Sequence, residues 1–203
     1  MLQLKNNKYK DMKVLDRPII KDIISDSLKK GTTYLDYRTL VADLVEQNST
    51  TGNEKTEAQA NYSMLNDKRM KRWDKTVKVS DEIKAKIKSF NKKVTWLAIT
   101  ESWCGDAAHI MPVINKVAEL NENIDYKVVI RDENDDLMNQ FLTNGSKSIP
   151  KLIMIDNETQ AVISTFGPRP AKATDMVNSY KAEHGQLSPE FKEDLQRWYN
   201  KDK

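Results

Sequence analysis

"VTWLAITESWCGDAAHIMPVI", residues 94–114, is the stretch on which the fold turns. Its first seven residues are a short apolar, β-rich run, suited to a buried strand. Glu101 to Trp103 form a short turn, and Cys104 then stands at the mouth of a helix expected to run to about residue 121. A sulfur placed there lies near backbone N–H groups that have no partner inside the helix, equivalent to roughly +0.5 of a charge. Cysteines in such positions can have pKa values lowered to about 3.5–7.5, which makes the thiolate, the nucleophilic form, accessible.

Outward toward the C-terminus, strands and helices alternate. "DYKVVIR" at 125–131 reads as a strand, about 134–144 as a helix, and "KLIMID" at 151–156 and "AVISTF" at 161–166 as two strands joined by a hairpin-length "NETQ". A helix follows from about 171 to Gly185. The order is βαβαββα. Helical crossovers imply parallel pairing and the short link an antiparallel pair, so an α/β arrangement with a mixed four-stranded sheet is expected. One more helix is capped by Ser188, has Pro189 in its first turn and docks through Phe191, Leu195 and Trp198.

Outward toward the N-terminus the pattern is helical. A helix begins after Pro18, with Ile19, Ile20, Ile23, Ile24 and Leu28 at helical spacing and Gly31 as its stop. A second uses Leu35, Leu40, Val41, Leu44 and Val45, and "NSTTGN" at 48–53 is a loop. A third covers about 54–75, with Ala58, Tyr62, Leu65 and Trp73 expected inward and "KRMKR" at 68–72 largely outward. Ser80 or Asp81 caps a fourth, with the stripe Ile83, Ile87 and Phe90. The expected organisation is a helical extension over 1–90, an α/β domain over 91–185 and a C-terminal helix over 186–203. The apolar stripes must be buried, so the extension is expected to pack on the α/β part.

"WCGDA" after an apolar strand, Pro112 in the next helix, "SIP" at 148–150 before a strand and Gly167 after the last strand together resemble the thioredoxin superfamily over about 90–185. The chain looks most like bacterial thioredoxin family proteins with a helical N-terminal extension. The resemblance implies that Cys104 is the attacking cysteine, Trp103 its flanking tryptophan and Pro150 the cis-proline facing the sulfur. It also implies that Ile149 orients an extended peptide, and that the loop of Gly167 and Arg169 flanks the site. Two positions depart from the pattern. Ala107 stands where a resolving cysteine is expected, and Ala98 where a buried acid often sits. Dithiol chemistry therefore gives way to monothiol exchange, completed by a substrate thiol or a small thiol.

Asp106 replaces the usual proline. It opposes thiolate formation by like-charge repulsion, yet it suits the first turn of a helix; a proton-transfer role is the alternative to this structural one. Arg169 can stabilise a thiolate or bind a substrate carboxylate, or it can pair with an acid such as Asp175. His109 lies five helical steps from Cys104, rotated roughly 140° away, so a surface or packed histidine is expected. His184, before Gly185, reads as a neighbour of a helix C-terminus.

Composition narrows the alternatives. Lys+Arg 33 against Asp+Glu 30 leaves a net charge of +3, so the charge is nearly balanced and nucleic acid is not implied. "IRDENDD" at 130–136 lacks the Gly and terminal Glu of an EF-hand loop and suits a helix start, so no metal is expected. The glycines form no phosphate loop, no G-x-S-x-G turn is present, and no cofactor is implied. No run reaches the roughly 18 apolar residues of a membrane span, and the first residues do not read as a signal peptide. One cysteine permits no internal disulfide and fits a reducing, cytoplasmic setting. Two functions remain. In one, Cys104 exchanges with protein or low-molecular-weight thiols and disulfides; in the other, the fold is a non-catalytic platform for a peptide or protein.

Overall fold

The computed structural model describes residues 20–201. Residues 20–30 are helical and form α1; Pro18 and Ile19, where its start is expected, lie outside the described residues. Then follow β1 (Thr32–Thr33), α2 (Tyr34–Glu46), α3 (Glu57–Thr76), α4 (Asp81–Lys88), β2 (Val94–Thr100) and α5 (Gly105–Ala118). The second half holds β3 (Ile124–Ile130), a 3-10 turn (Arg131–Glu133), α6 (Asp135–Gln140), β4 (Lys151–Asp156), β5 (Val162–Phe166), α7 (Ala171–His184) and α8 (Pro189–Lys201).

The strands form one mixed sheet in the order β1-β3-β2-β4-β5. β2 and β3 run parallel from Val94↔Ile124 to Thr100↔Ile130, joined by the crossover helix α5. β2 pairs antiparallel with β4, and β4 with β5. The sheet therefore carries a fifth strand beyond the four expected. β1 is two exposed threonines, antiparallel to β3, and two residues have no periodicity by which to be recognised.

The central position of β2 explains its unbroken apolar run. Leu97 and Ile99, with Ile153 on β4, are wholly buried, and each such side chain contributes about 1.5–3 kcal/mol relative to exposure. The same core takes in Ile24 of α1, Tyr34, Tyr37 and Val41 of α2 and Met70 of α3. A second cluster joins Ile110 of α5 to Ala173 and Val177 of α7 and to Leu195 and Tyr199 of α8.

The inward faces of α2 and α3 differ from the apolar stripes read in the sequence. On α2, Tyr34, Tyr37, Arg38 and Val41 face inward while Leu35 is 74% exposed. On α3 the buried residues are Ser63, Asn66, Asp67, Met70 and Trp73, whereas Ala58, Tyr62 and Leu65 are exposed. The spacing is helical, but the face is mostly polar, because α3 meets polar partners rather than a sheet. Asp67 takes Arg38 of α2, and Ser63 and Asn66 bind Ser102 in the turn before Cys104. Buried polar groups persist where they are hydrogen-bonded in this way. The helix starts follow local chemistry: Thr33 and Thr56 form capping boxes with Asp36 and Gln59, and Ser80 caps α4.

Candidate functional site: a covered thiol at the start of α5

Cys104 is the N-cap residue of α5 and makes no side-chain capping bond. The turn that delivers it is pinned from the N-terminal side. Ser102 Oγ lies 2.7 Å from Ser63 Oγ and 3.0 Å from Thr50 Oγ1, the Ser102 N–H donates to Thr51 Oγ1 at 2.8 Å, and Asn66 Nδ2 donates to the Ser102 carbonyl at 2.9 Å. Glu101 is fully buried, and its Oε1 accepts the Asp132 N–H at 2.9 Å.

The sulfur faces the loop before β4. Cys104 Sγ donates to the Ile149 carbonyl at 3.4 Å, and the Ile149–Pro150 peptide is cis, as is Gly167–Pro168. Gly167, with φ +116°, lies so close to Pro150 that an added Cβ would be 2.1 Å from the Pro150 carbonyl oxygen. Asp106 Oδ2 pairs with Arg169 Nη2 at 2.7 Å, and Asp106 Oδ1 accepts the Tyr199 hydroxyl at 3.0 Å. Cys104, Asp106, Ile149, Pro150, Gly167 and Arg169 therefore converge. Trp103 sits to one side, half-buried beneath the Arg131 guanidinium, whose Cζ is 5.0 Å from its ring centroid.

The electrostatics reverse the expected activation of the thiol. Cys104 is 7% exposed, and burial, followed by the Asp106 charge, pushes its pKa up to about 12. The Ala107 and Asp106 N–H groups and Arg169 act in the opposite direction and do not overcome that desolvation. In this conformation the thiol is protonated at neutral pH. Arg169 pairs with Asp106, not with Asp175, because the turn after β5 brings it over the first turn of α5. Burial raises the pKa of Asp106, with Arg169 and Tyr199 opposing.

His109 is a packed histidine, 2% exposed. Trp73 Nε1 donates to its Nδ1 at 2.8 Å, and the indole can only donate, so the imidazole is neutral with its proton on Nε2, facing Gln196 Oε1 at 2.8 Å. Its ring stacks on Tyr199, centroids 4.7 Å apart and planes 6° from parallel. Burial, then the charges of Arg69 and Arg72, lowers its pKa to about 4, with the Gln196 bond opposing. A histidine with a depressed pKa contributes stability that is present above its unfolded pKa and lost as pH falls through the folded one. Between pH 6.5 and 4 the wild type is therefore expected to lose roughly 2–3 kcal/mol that His109→Gln does not lose. Asp106, shifted upward, contributes the opposite slope in both proteins, so the difference between their urea-unfolding pH profiles isolates His109. Parallel profiles would exclude this assignment.

Tyr199 and Gln196, the Ser102 hydroxyl cluster and Glu101 were not read from the sequence as site residues. Tyr199 lies four residues beyond Leu195 and so continues the α8 stripe, but its contact with Asp106 follows from where α8 docks. His184 is exposed near the C-terminus of α7, with Gly185 as the C-cap. Asp135 and Asp136 occupy the first turn of α6. Among the described residues no helix is long and apolar enough to cross a membrane.

A central parallel β2–β3 pair, an antiparallel β4–β5 hairpin and a cysteine at the start of the crossover helix define a thioredoxin-like protein. The family model described as Thioredoxin matches residues 52–182, more than half of the chain, and the chain belongs to that family. No curated protein matches it. Among solved structures it is similar to a protein of unknown function from Pseudomonas aeruginosa, at 16% identity and a TM-score of 0.50, covering 70% of this chain and 86% of that one. An HIV epitope-scaffold protein is similar at 16% identity and a TM-score of 0.49, covering 71% and 82%. At that identity the likeness concerns the fold alone.

Proposed function

We propose that this protein carries out monothiol thiol–disulfide exchange through Cys104, with protein or low-molecular-weight disulfides as partners and no cofactor. The observation that carries the reading is the seat of the sulfur. It lies at the start of α5, where the Asp106 and Ala107 N–H groups favour its anion, and opposite the Ile149 carbonyl beside Pro150.

In the exchange the Cys104 thiol loses its proton to solvent, and its sulfur attacks one sulfur of the partner disulfide. A new Cys104–partner S–S bond forms, the partner's S–S bond breaks, and the departing thiolate takes up a proton. Ala107 offers no second sulfur, so a free thiol then attacks the mixed disulfide and releases Cys104 reduced. The protein undergoes no net oxidation. Trp103, Ile149, Pro150 and Gly167 form the surface on which a partner is held. Arg169 steadies charge beside the sulfur, and Asp106 modulates it. One cysteine and the likeness of WCGDA to bacterial family members favour a reducing, cytoplasmic setting in a bacterium.

A second reading, a binding platform without thiol chemistry, is favoured by the burial of Cys104 and its pKa near 12. Trapping mixed disulfides in cells and identifying the modified sulfur separates the two. Wild type is expected to give adducts that Cys104→Ser abolishes. If adducts are equally absent from both proteins, the exchange reading fails and the platform stands.

A further inference from the structure

The first turn of α5, which Cys104 caps, is covered in part by a helix that adds no strand to the sheet. Helix α8 lies on the first turns of α5. Gln196 Nε2 lies 3.4 Å from the position a Cβ would take on Gly105, the residue after Cys104. Gln196 Oε1 holds His109 Nε2 at 2.8 Å, and the Tyr199 hydroxyl donates to Asp106 Oδ1 at 3.0 Å while its ring stacks on His109. The second and fifth residues of α5 are thus held by one turn of α8.

The attachment is small beside the rest of the fold. α8 adds no strand to the sheet; its apolar seat is the smaller cluster of Ile110, Ala173, Val177, Leu195 and Tyr199, against which its Phe191 and Trp198 also pack, and its Asn200 accepts from Arg72 of α3. Glu193, Asp194 and Arg197 on its far side are exposed. Four residues join it to α7, and they begin with Gly185, at φ +76° with no heavy atom within 4 Å of an added Cβ. A glycine in open space at a positive φ is a ready pivot. An element that lies outside the sheet, on the smaller of two cores, opens at lower free energy than the sheet unfolds.

We propose that α8 is a gate on Cys104: it swings about the 185–188 connection, uncovers the first turn of α5 and admits the disulfide partner that the closed form excludes. Regulation by this gate rests on the monothiol reading, although the gate itself is a matter of access. Opening also lets water reach Asp106 and Cys104, which removes the desolvation that keeps the thiol protonated, so the open form is the reactive one.

Iodoacetamide labelling of Cys104 in the full chain tests access without requiring exchange. Tyr199→Phe keeps the ring stack and loses the bond to Asp106; Gln196→Ala loses the bond to His109. Each is expected to speed labelling about fivefold. In the unmodified protein, the labelling rate below the unfolding transition is expected to rise with urea far less steeply than global unfolding does, since only α8 is released. Unchanged rates in both variants, or a urea dependence equal to that of global unfolding, would overturn the gate. Faster labelling in the variants with no mixed disulfide leaves the gate standing and removes the exchange reading. Mixed disulfides with labelling indifferent to both variants do the reverse.

Discussion

Gly167→Ala is expected to destabilise the protein by about 3–5 kcal/mol and to move the loop opposite Cys104. Two costs add. An alanine at φ +116° is strained by its own backbone, and its Cβ would sit 2.1 Å from the Pro150 carbonyl oxygen, far inside any real contact. The obstructing atom belongs to backbone, so no side-chain rotation relieves it. Either β5 or the Ile149–Pro150 loop must shift, and the Leu152↔Phe166 pairing beside them limits how far. Gly145→Ala supplies the contrast: φ is +75°, but nothing lies within 4 Å of its added Cβ, so only the backbone term of about 1–2 kcal/mol is expected. Urea unfolding of the two variants measures the difference. Equal losses would show that the close approach of Gly167 to Pro150 carries no energy.

Arg38→Met is expected to cost about 3 kcal/mol. Arg38, 9% exposed, reaches from α2 to two carboxylates of α3, Nη1 to Asp67 Oδ1 and Nε to Asp74 Oδ2, each at 3.1 Å. Asp74 also accepts from Tyr34 at 2.8 Å, and Lys71 reaches Asp67 from solvent at 2.8 Å. Removing the guanidinium leaves Asp67 buried with only an exposed lysine as counter-charge, and breaking a buried pair on one side typically costs about 3–5 kcal/mol. The surviving Lys71 and Tyr34 contacts place the expectation at the lower end. Arg38→Lys is expected to rescue only part, because one ammonium cannot span both carboxylates as the planar fork does. Arg38→Met combined with Asp67→Leu should recover much of the loss, since the stranded charge is then gone. Thermal or urea unfolding of the three variants checks the order; a double variant no more stable than Arg38→Met would refute it.

The α/β half was legible because its signals are local and strong. β2 is a central strand, so Val94 to Thr100 are almost wholly buried and read as an unbroken apolar run. Pro189 after Ser188 marked α8, and Ser80 marked α4. The N-terminal helices were legible as helices but not in their orientation. On α3 the inward face is Ser63, Asn66, Asp67, Met70 and Trp73, and hydrophobicity has no means of choosing a polar face. What makes that face inward is a set of partners far along the chain, Ser102 and Arg38 among them. Leu35, Tyr62 and Leu65, apolar by residue type, are exposed for the same reason.

By itself, the sequence determined the order of strands and helices apart from the two-residue β1, the position of one sulfur at a helix start, and the absence of a second sulfur and of a buried acid at Ala107 and Ala98. Those are properties of residue identity and short-range spacing. Only the tertiary structure decided the state of that sulfur. Spacing placed Cys104 beside helix N–H groups that favour its anion, whereas packing buried it in the main core, facing the Ile149 carbonyl and close to Asp106, and desolvation then outweighed the helix terminus. The physical reason is range. A helix end acts on its own first turn, but the local dielectric is set by everything folded around the sulfur, including Ile149, 45 positions away.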